Sequence, residues 1–300
     1  LSSKKWRNVK LTLKPMNELL IEIAGQAEKA LLYEVALTPK PGLVDRNNNG
    51  AHSDMDFFTF MDSIVSLSPY LYQYVKLGME HVGTEKELFH KVRSMGVHAE
   101  KAMLTATKNI NTHKGANFSF AVLLGATGAC IGRGLQPPFT QNDTQEVLSY
   151  AQEMSRGLVT DDFADLAAKT SLTYGEKLYL SYGITGIRGE AEAGYPALSE
   201  LILPFLRANQ GQPVENLLLE ALLLLMSQVE DGNIIHRGGI DAWRTVKIEA
   251  KKLLQASTEG TLKELMYSYD LMLIERHLSP GGAADLLSLG IFFAKLENLF

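Results

Sequence analysis

The sequence predicts an all-α fold, a single compact domain of about ten helices around one central uncharged helix. Three observations carry this expectation. Apolar residues recur at three- and four-residue spacing along nearly the whole chain, strictly alternating runs are almost absent, and helix-start signals precede the periodic stretches. At 300 residues, 46% hydrophobic and 21% charged, the chain can bury a large core. No composition shift, long linker or fixed-period repeat marks a second domain or a solenoid. Residues 1–15 read as a loosely held arm and 16–300 as the helical domain.

Taken in order, Leu19, Leu20, Ile23, Ala27, Ala30, Leu31 and Val35 follow Asn17, a candidate N-cap, and Pro39 and Pro41 stop this helix near Thr38. A second helix opens at Asp54, carries Phe57, Phe58, Met61, Ile64, Val65 and Leu67, and is expected to kink at Pro69. Thr84 and Glu87 form a capping box for a helix reaching about Lys108. The stretch from Gly115 to Gly132 has no charge and is long enough to cross a bilayer, but Asn117, Ser119, Thr127 and its glycines suit a helix buried in protein better. Asn142 and Gln145 start a helix through Met154. Helical patterns continue over roughly 163–182, 189–208, 214–229, 240–256, 260–275 and 280–298.

Composition also narrows the function. With 29 basic and 34 acidic residues, the chain carries a net charge of −5, and its basic residues are scattered singly. That pattern gives no footprint for nucleic acid or an anionic membrane, so an anionic ligand needs a local pocket. Cys130 is the only cysteine, which excludes intrachain disulfides and cysteine-built zinc sites and points to a reducing, cytoplasmic compartment. Leu1 to Leu13 lacks the continuous apolar run of a signal peptide, and the missing initiator Met suggests a trimmed or fused chain.

Five loops put glycine beside charged or hydrogen-bonding residues, and all five lead into helices. They are Pro39–Arg46 continuing through Gly50 and His52 to Asp56, Asn111–Gly115, Gly183–Glu190, Asp231–Gly239 and Ser279–Asp285. Helix starts present unpaired N–H groups and partial positive charge, and glycine lets a phosphate oxygen approach the backbone. Lys40, Arg46, Lys114, Arg188 and Arg237 add formal charge. Asn111, Thr112, Ser279, Gly281 and Gly282 add hydrogen-bond donors to the candidate phosphate site. Any one such loop is also what a helix-to-helix connection needs, and Ser279-Pro280 is a good cap by itself.

Carboxylates form a second constellation, with Asp45 and the pair Asp54 and Asp56 early in the chain, and Glu190 and Glu192 in a later first turn. Single carboxylates, waters and substrate phosphates are the usual shell of Mg²⁺, so Asp45, Asp54, Asp56 and Glu190 are candidate metal ligands. First-turn acids also answer the helix dipole, and Asp54 suits a plain cap. His52, His113 and His236 lie in the loops, where proton shuttling and structural hydrogen bonding are both open. No HExxH, P-loop or GxGxxG pattern occurs.

Five segments together resemble the triphosphoribosyl-dephospho-coenzyme A synthase family of citrate lyase and malonate decarboxylase maturation. They are Thr38–Asp45, Gly50–His52 with Asp54–Phe57, Asn111–Ala116, Gly186–Ala191 and Leu278–Leu287, in the family's order. The resemblance implies an all-α enzyme that uses Mg²⁺, ATP and 3′-dephospho-CoA. In that reaction the 2′-hydroxyl of the dephospho-CoA ribose attacks C1′ of ATP, adenine leaves, and the triphosphate stays attached. The product then passes to a holo-acyl-carrier transferase. Placed against that chemistry, Asp45, Asp56 and Glu190 are the candidate base or metal-ordering groups, because charge develops at C1′ and the hydroxyl must lose a proton. Lys40, Arg46, His52, Lys114, Arg188, Arg237 and the Ser279–Gly282 turn are the candidate phosphate holders. The rival readings are a Mg²⁺-dependent N-glycosidic hydrolase of a nucleotide or ADP-ribosyl substrate, and a non-catalytic helical scaffold.

Overall fold

The computed structural model describes residues 15–166, 169–256 and 260–300. All but the last residue of the arm expected at 1–15 lies outside them. Among the described residues there are thirteen α-helices, one π-helical turn and no strand. The all-α expectation holds, with more and shorter helices than anticipated.

The early helices follow the periodicity, with their caps displaced. α1 (Met16–Ala36) starts after Pro15, whose φ of −54° is already helical, so Asn17 lies inside the first turn. α2 (Phe57–Met79) begins three residues beyond Asp54, because Asp56 has what Asp54 lacks, a hydrogen-bonding residue three positions on. Asp56 Oδ1 accepts from Thr59 N and Oγ1, both at 2.8 Å. The helix runs on through Pro69. α3 (Glu85–Ala106) has the Thr84/Glu87 capping box. α5 (Gln141–Met154) is capped by Thr140 with Asp143, two residues before the expected Asn142.

At the centre, α4 (Lys114–Gly132) is apolar on all sides and largely buried. Its glycines form a seam with α2: a Cβ on Gly78 would strike Gly125 O, and one on Gly128 would strike Val75 O. The two backbones therefore meet directly, and larger side chains would force them apart. Two polar side chains beside this seam pair with each other. Tyr74 donates to Asn117 Oδ1 at 2.8 Å, and Asn117 Nδ2 donates to Gly96 O at 3.1 Å.

The second half is more broken than the periodicity suggests. In place of helices over 163–182 and 189–208 stand α6 (Leu158–Phe163), α7 (Tyr174–Tyr182), α8 (Ile187–Glu192), a π turn (Ala197–Ile202) and α9 (Leu203–Ala208). Gly157, Gly183, Gly186 and Gly194 adopt positive φ at these breaks. α10 (Val214–Gln228), α12 (Leu262–Glu275) and α13 (Gly281–Leu296) match expectation closely. α11 (Gly232–Ala256) adds a first segment before the expected start, and Gly239, at φ 81°, marks the break between the two. α13 is nearly as buried as α4 and, with α1 and α10, completes the core.

Candidate active site

The starts of α4, α8, α11 and α13 and the loop after α1 open onto one cavity of about 640 Å³. Each of the five glycine loops contributes to its lining. A cavity of that size suits a nucleotide. The positive dipole ends of these helices converge on it, with Asp231 already capping α11 and α13 and Asn111 capping α4.

Of the phosphate candidates, Lys40, His52, Asn111, Thr112, Lys114, Arg188, Arg237, Ser279, Gly281 and Gly282 line the cavity. Arg46 does not; its guanidinium pairs with Glu215 at 2.8 Å on the surface. Of the sequence-predicted carboxylates Asp45, Asp54, Asp56 and Glu190, only Glu190 lines the cavity. Asp45 is a loop staple, its Oδ2 accepting from Thr38 Oγ1 and Lys40 N and its Oδ1 from Asn47 N and Asn48 N. Four bonds use up its accepting capacity, which removes it as a metal ligand or base. Asp54 is exposed, 3.7 Å from His52 Nδ1, and Asp56 is the α2 cap. Glu192 binds the amides of Gly157 and Val159 and so caps α6. Hence the set Asp45, Asp54, Asp56 and Glu190 does not assemble around one ion. Among the described residues no cluster of three or more His, Cys, Asp or Glu groups is arranged for a metal.

The cationic side chains are held in place by neighbours. Asp162 accepts from Arg188 Nε at 2.6 Å and from both terminal nitrogens of Arg93. Lys114 reaches Glu100 at 2.6 Å across an exposed pair, which is weak enough to yield to a phosphate. Lys40 differs: it is 1% exposed, and its Nζ lies 2.5 Å from the buried Glu34.

Hydrogen-bond direction around His52 follows from Arg237, which can only donate. Arg237 Nη2 is 3.1 Å from His52 Nδ1, and Nε2 is 2.9 Å from Ser279 Oγ. Burial and the Arg237 charge lower the His52 pKa, keeping the ring neutral. Nδ1 therefore accepts, Nε2–H donates to Ser279, and the Ser279 hydroxyl proton is left to donate into the cavity. A Ser-His-Asp nucleophile would need the opposite tautomer. The relay Arg237, His52, Ser279 instead delivers a donor to an anion.

His113 lies deeper. Its Nδ1 is 2.7 Å from Ser63 Oγ, which also accepts from Thr112, and its ring meets Phe60 edge-on at 4.9 Å between centroids. Its Nε2 has no hydrogen-bond partner. Burial pushes its pKa down to about 3, so it stays neutral and offers a hydrogen bond, not a proton shuttle. The third loop histidine, His236, packs its ring on Tyr174 at 3.9 Å.

Sequence reasoning missed several groups. Asp231 joins two helix starts: its carboxylate accepts from Asn233 N and Ile234 N on α11 and from Ala283 N on α13. Burial raises its pKa to about 6. Glu200 and Glu230 line the cavity, and burial, with these two anions near, raises the pKa of Glu190. Asp231 opens the Asp231–Gly239 loop and carries the signal of a cap. Glu34 and Glu200 lie inside helical patterns and Glu230 just beyond one, and nothing local sets them apart from solvated charges.

Residues 21–300 match the sequence profile of the family described as ATP:dephospho-CoA triphosphoribosyl transferase. The chain is similar to the protein named "Probable 2-(5''-triphosphoribosyl)-3'-dephosphocoenzyme-A synthase" in Streptococcus mutans, at 49% identity over 94% of this chain and 98% of the relative. Proteins of the same name match from Streptococcus equi subsp. zooepidemicus, at 48% identity over 92% and 97%, and from Streptococcus pyogenes, at 48% over 94% and 98%. With a profile match across almost the whole chain and close relatives covered nearly end to end, this protein belongs to the ATP:dephospho-CoA triphosphoribosyl transferase family.

Proposed function

We propose that this protein transfers the 5-triphosphoribosyl group of ATP to the 2′-hydroxyl of 3′-dephospho-CoA and releases adenine. The observation that carries the reading is the meeting of all five glycine loops around one cavity lined by both cations and carboxylates. Lys114, Arg188, Ser279 and the amide of Gly281 hold the triphosphate, whose retention in the product makes it a handle for orientation. Glu190 is the base that takes the proton of the attacking hydroxyl, being the one sequence-predicted carboxylate that faces the cavity. Positive charge grows at C1′ as the bond to adenine stretches, and the acidic wall of Glu190, Glu200 and Glu230 opposes that charge.

Mg²⁺ enters as part of the substrate, chelated by the triphosphate. Phosphate oxygens and waters fill most of its shell, and one or two carboxylates are all the protein adds. We place the enzyme in the cytoplasm, where the buried, unpaired Cys130 stays reduced. Its product serves as the prosthetic-group precursor of citrate lyase or malonate decarboxylase and passes to a holo-acyl-carrier transferase.

The test mixes the purified protein with ATP, Mg²⁺ and 3′-dephospho-CoA and follows the products by mass spectrometry. Free adenine should appear in equal amount with an adduct of dephospho-CoA and triphosphoribose, and only when all three reactants are present. Adenine without adduct would mean hydrolysis, and no adenine would leave a binding scaffold.

A further inference from the structure

We propose that Asp285, on the second turn of α13, is the catalytic acid that protonates a ring nitrogen of the departing adenine. This rests on the transfer reaction proposed above and completes its proton balance. The 2′-oxygen forms its bond to C1′ and gives its proton to Glu190. The bond from C1′ to adenine breaks with its electron pair going to the base, and Asp285 supplies the proton that lets adenine leave neutral. Asp285 ends as a carboxylate and Glu190 as an acid, and water returns the proton between turnovers.

Geometry singles out Asp285. It lines the cavity and is half-buried, its carboxylate set against Gly115 in the first turn of α4. The amide of Ala116, in the first turn of α4, donates to its carboxylate. Gly115 lets it lie this close, since a Cβ there would collide with Asp285 Oδ2. The charged groups around it favour a proton. Glu34 from α1 and Asp231 from before α11 are anions, and Lys40 is tied to Glu34 at 2.5 Å. Burial first, and these two carboxylates next, push its pKa well above the usual carboxylate range. Glu190 has nearby acids too, but the amide of Ala197 donates to it and its pKa is raised less far than that of Asp285, so the two carboxylates divide as acid and base.

A second group in the cavity lining points to a ligand there. His113, also in the turn that begins α4, is buried, lines the cavity and leaves Nε2 without a partner. A buried polar nitrogen without a partner costs about 1–3 kcal/mol, which a bound molecule recovers. Asp285 as a donor, His113 Nε2 and the Phe60 ring form a subsite with two polar groups and an aromatic edge, the recognition set for a flat heterocycle with ring nitrogens.

The experiment compares ATP with 8-aza-ATP, whose base leaves as a more stable anion and needs less protonation. Asp285→Asn keeps the side-chain shape and removes the acid. Turnover of ATP by D285N should fall on the order of 10²-fold and turnover of 8-aza-ATP by less than about 5-fold. Equal losses with both nucleotides, or no loss with ATP, would overturn the assignment. A second readout needs only the wild-type protein. As pH rises and Asp285 gives up its proton, the ATP rate should decline at a lower pH than the 8-aza-ATP rate, while Glu34, Lys40, His113 and Asp231 affect both alike. Parallel profiles would also overturn it. Silence of the wild type with both nucleotides would remove the transfer reaction itself, a failure distinct from loss of discrimination by D285N.

Discussion

Glu190→Gln should lower kcat by about 10²–10⁴-fold and leave the KM for ATP within a few-fold of wild type. Glutamine keeps the bond that Glu190 accepts from the amide of Ala197 at 3.3 Å, so the first turn of α8 stays in place. What is lost is the ability to take a proton from the attacking hydroxyl. A base acts in the transition state and hardly at all in substrate binding, so the loss belongs in kcat. Steady-state adenine release as a function of ATP concentration makes the measurement. A rise in KM with kcat unchanged would make Glu190 a binding group and leave the base unassigned.

Lys40→Met is the second large effect, and it falls on stability. Lys40 is 1% exposed and Glu34 is 4% exposed, so removing the ammonium strands a buried carboxylate. Losing one partner of such a pair costs about 3–5 kcal/mol, whereas replacing both with apolar groups is often close to neutral. Urea unfolding should therefore show K40M destabilised by about that amount, and the double variant K40M/E34L should recover most of it. A loss under about 1 kcal/mol for K40M would mean that cavity water solvates Glu34 and that Lys40 is free to meet phosphate, as the sequence alone suggests.

These two residues illustrate what sequence reading reaches here. The helices were legible where apolar periodicity ran long. α4, α10, α12 and α13 appear nearly at their expected bounds, because the same periodicity that marks them buries them. Legibility failed between 155 and 208, where four glycines at positive φ cut the pattern into short pieces and a π turn follows Tyr195, itself at φ 58°. Caps slipped by a few residues because several Ser, Thr, Asn or Asp candidates compete at each start, and the winner is the one whose third neighbour can bond back, as Asp56 with Thr59 and Thr140 with Asp143 do.

The site was legible at the level of loops and less so at the level of roles. Glycine beside charge marked the segments that surround the cavity. Spacing could not say that Asp45 spends its oxygens on its own loop, or that Arg46 turns away to Glu215. Nor could it find Glu34 as the partner of Lys40, since an acidic residue within an amphipathic helix reads as a solvated face until the fold covers it. Asp285 stood in plain view within Ser279–Asp285, but its raised pKa depends on burial and on anions from α1 and from before α11, which only the fold brings near.

Transfer from ATP at this cavity requires five distant turns to serve one nucleotide. Hydrogen exchange of backbone amides, followed by mass spectrometry during titration with MgATP, tests this directly. Segments 111–116, 184–190, 231–237 and 279–285, together with the loop at 40–52, should slow in exchange along a single binding curve with one shared Kd. Protection limited to one or two of these segments, or segments titrating at separate concentrations, would contradict a common site.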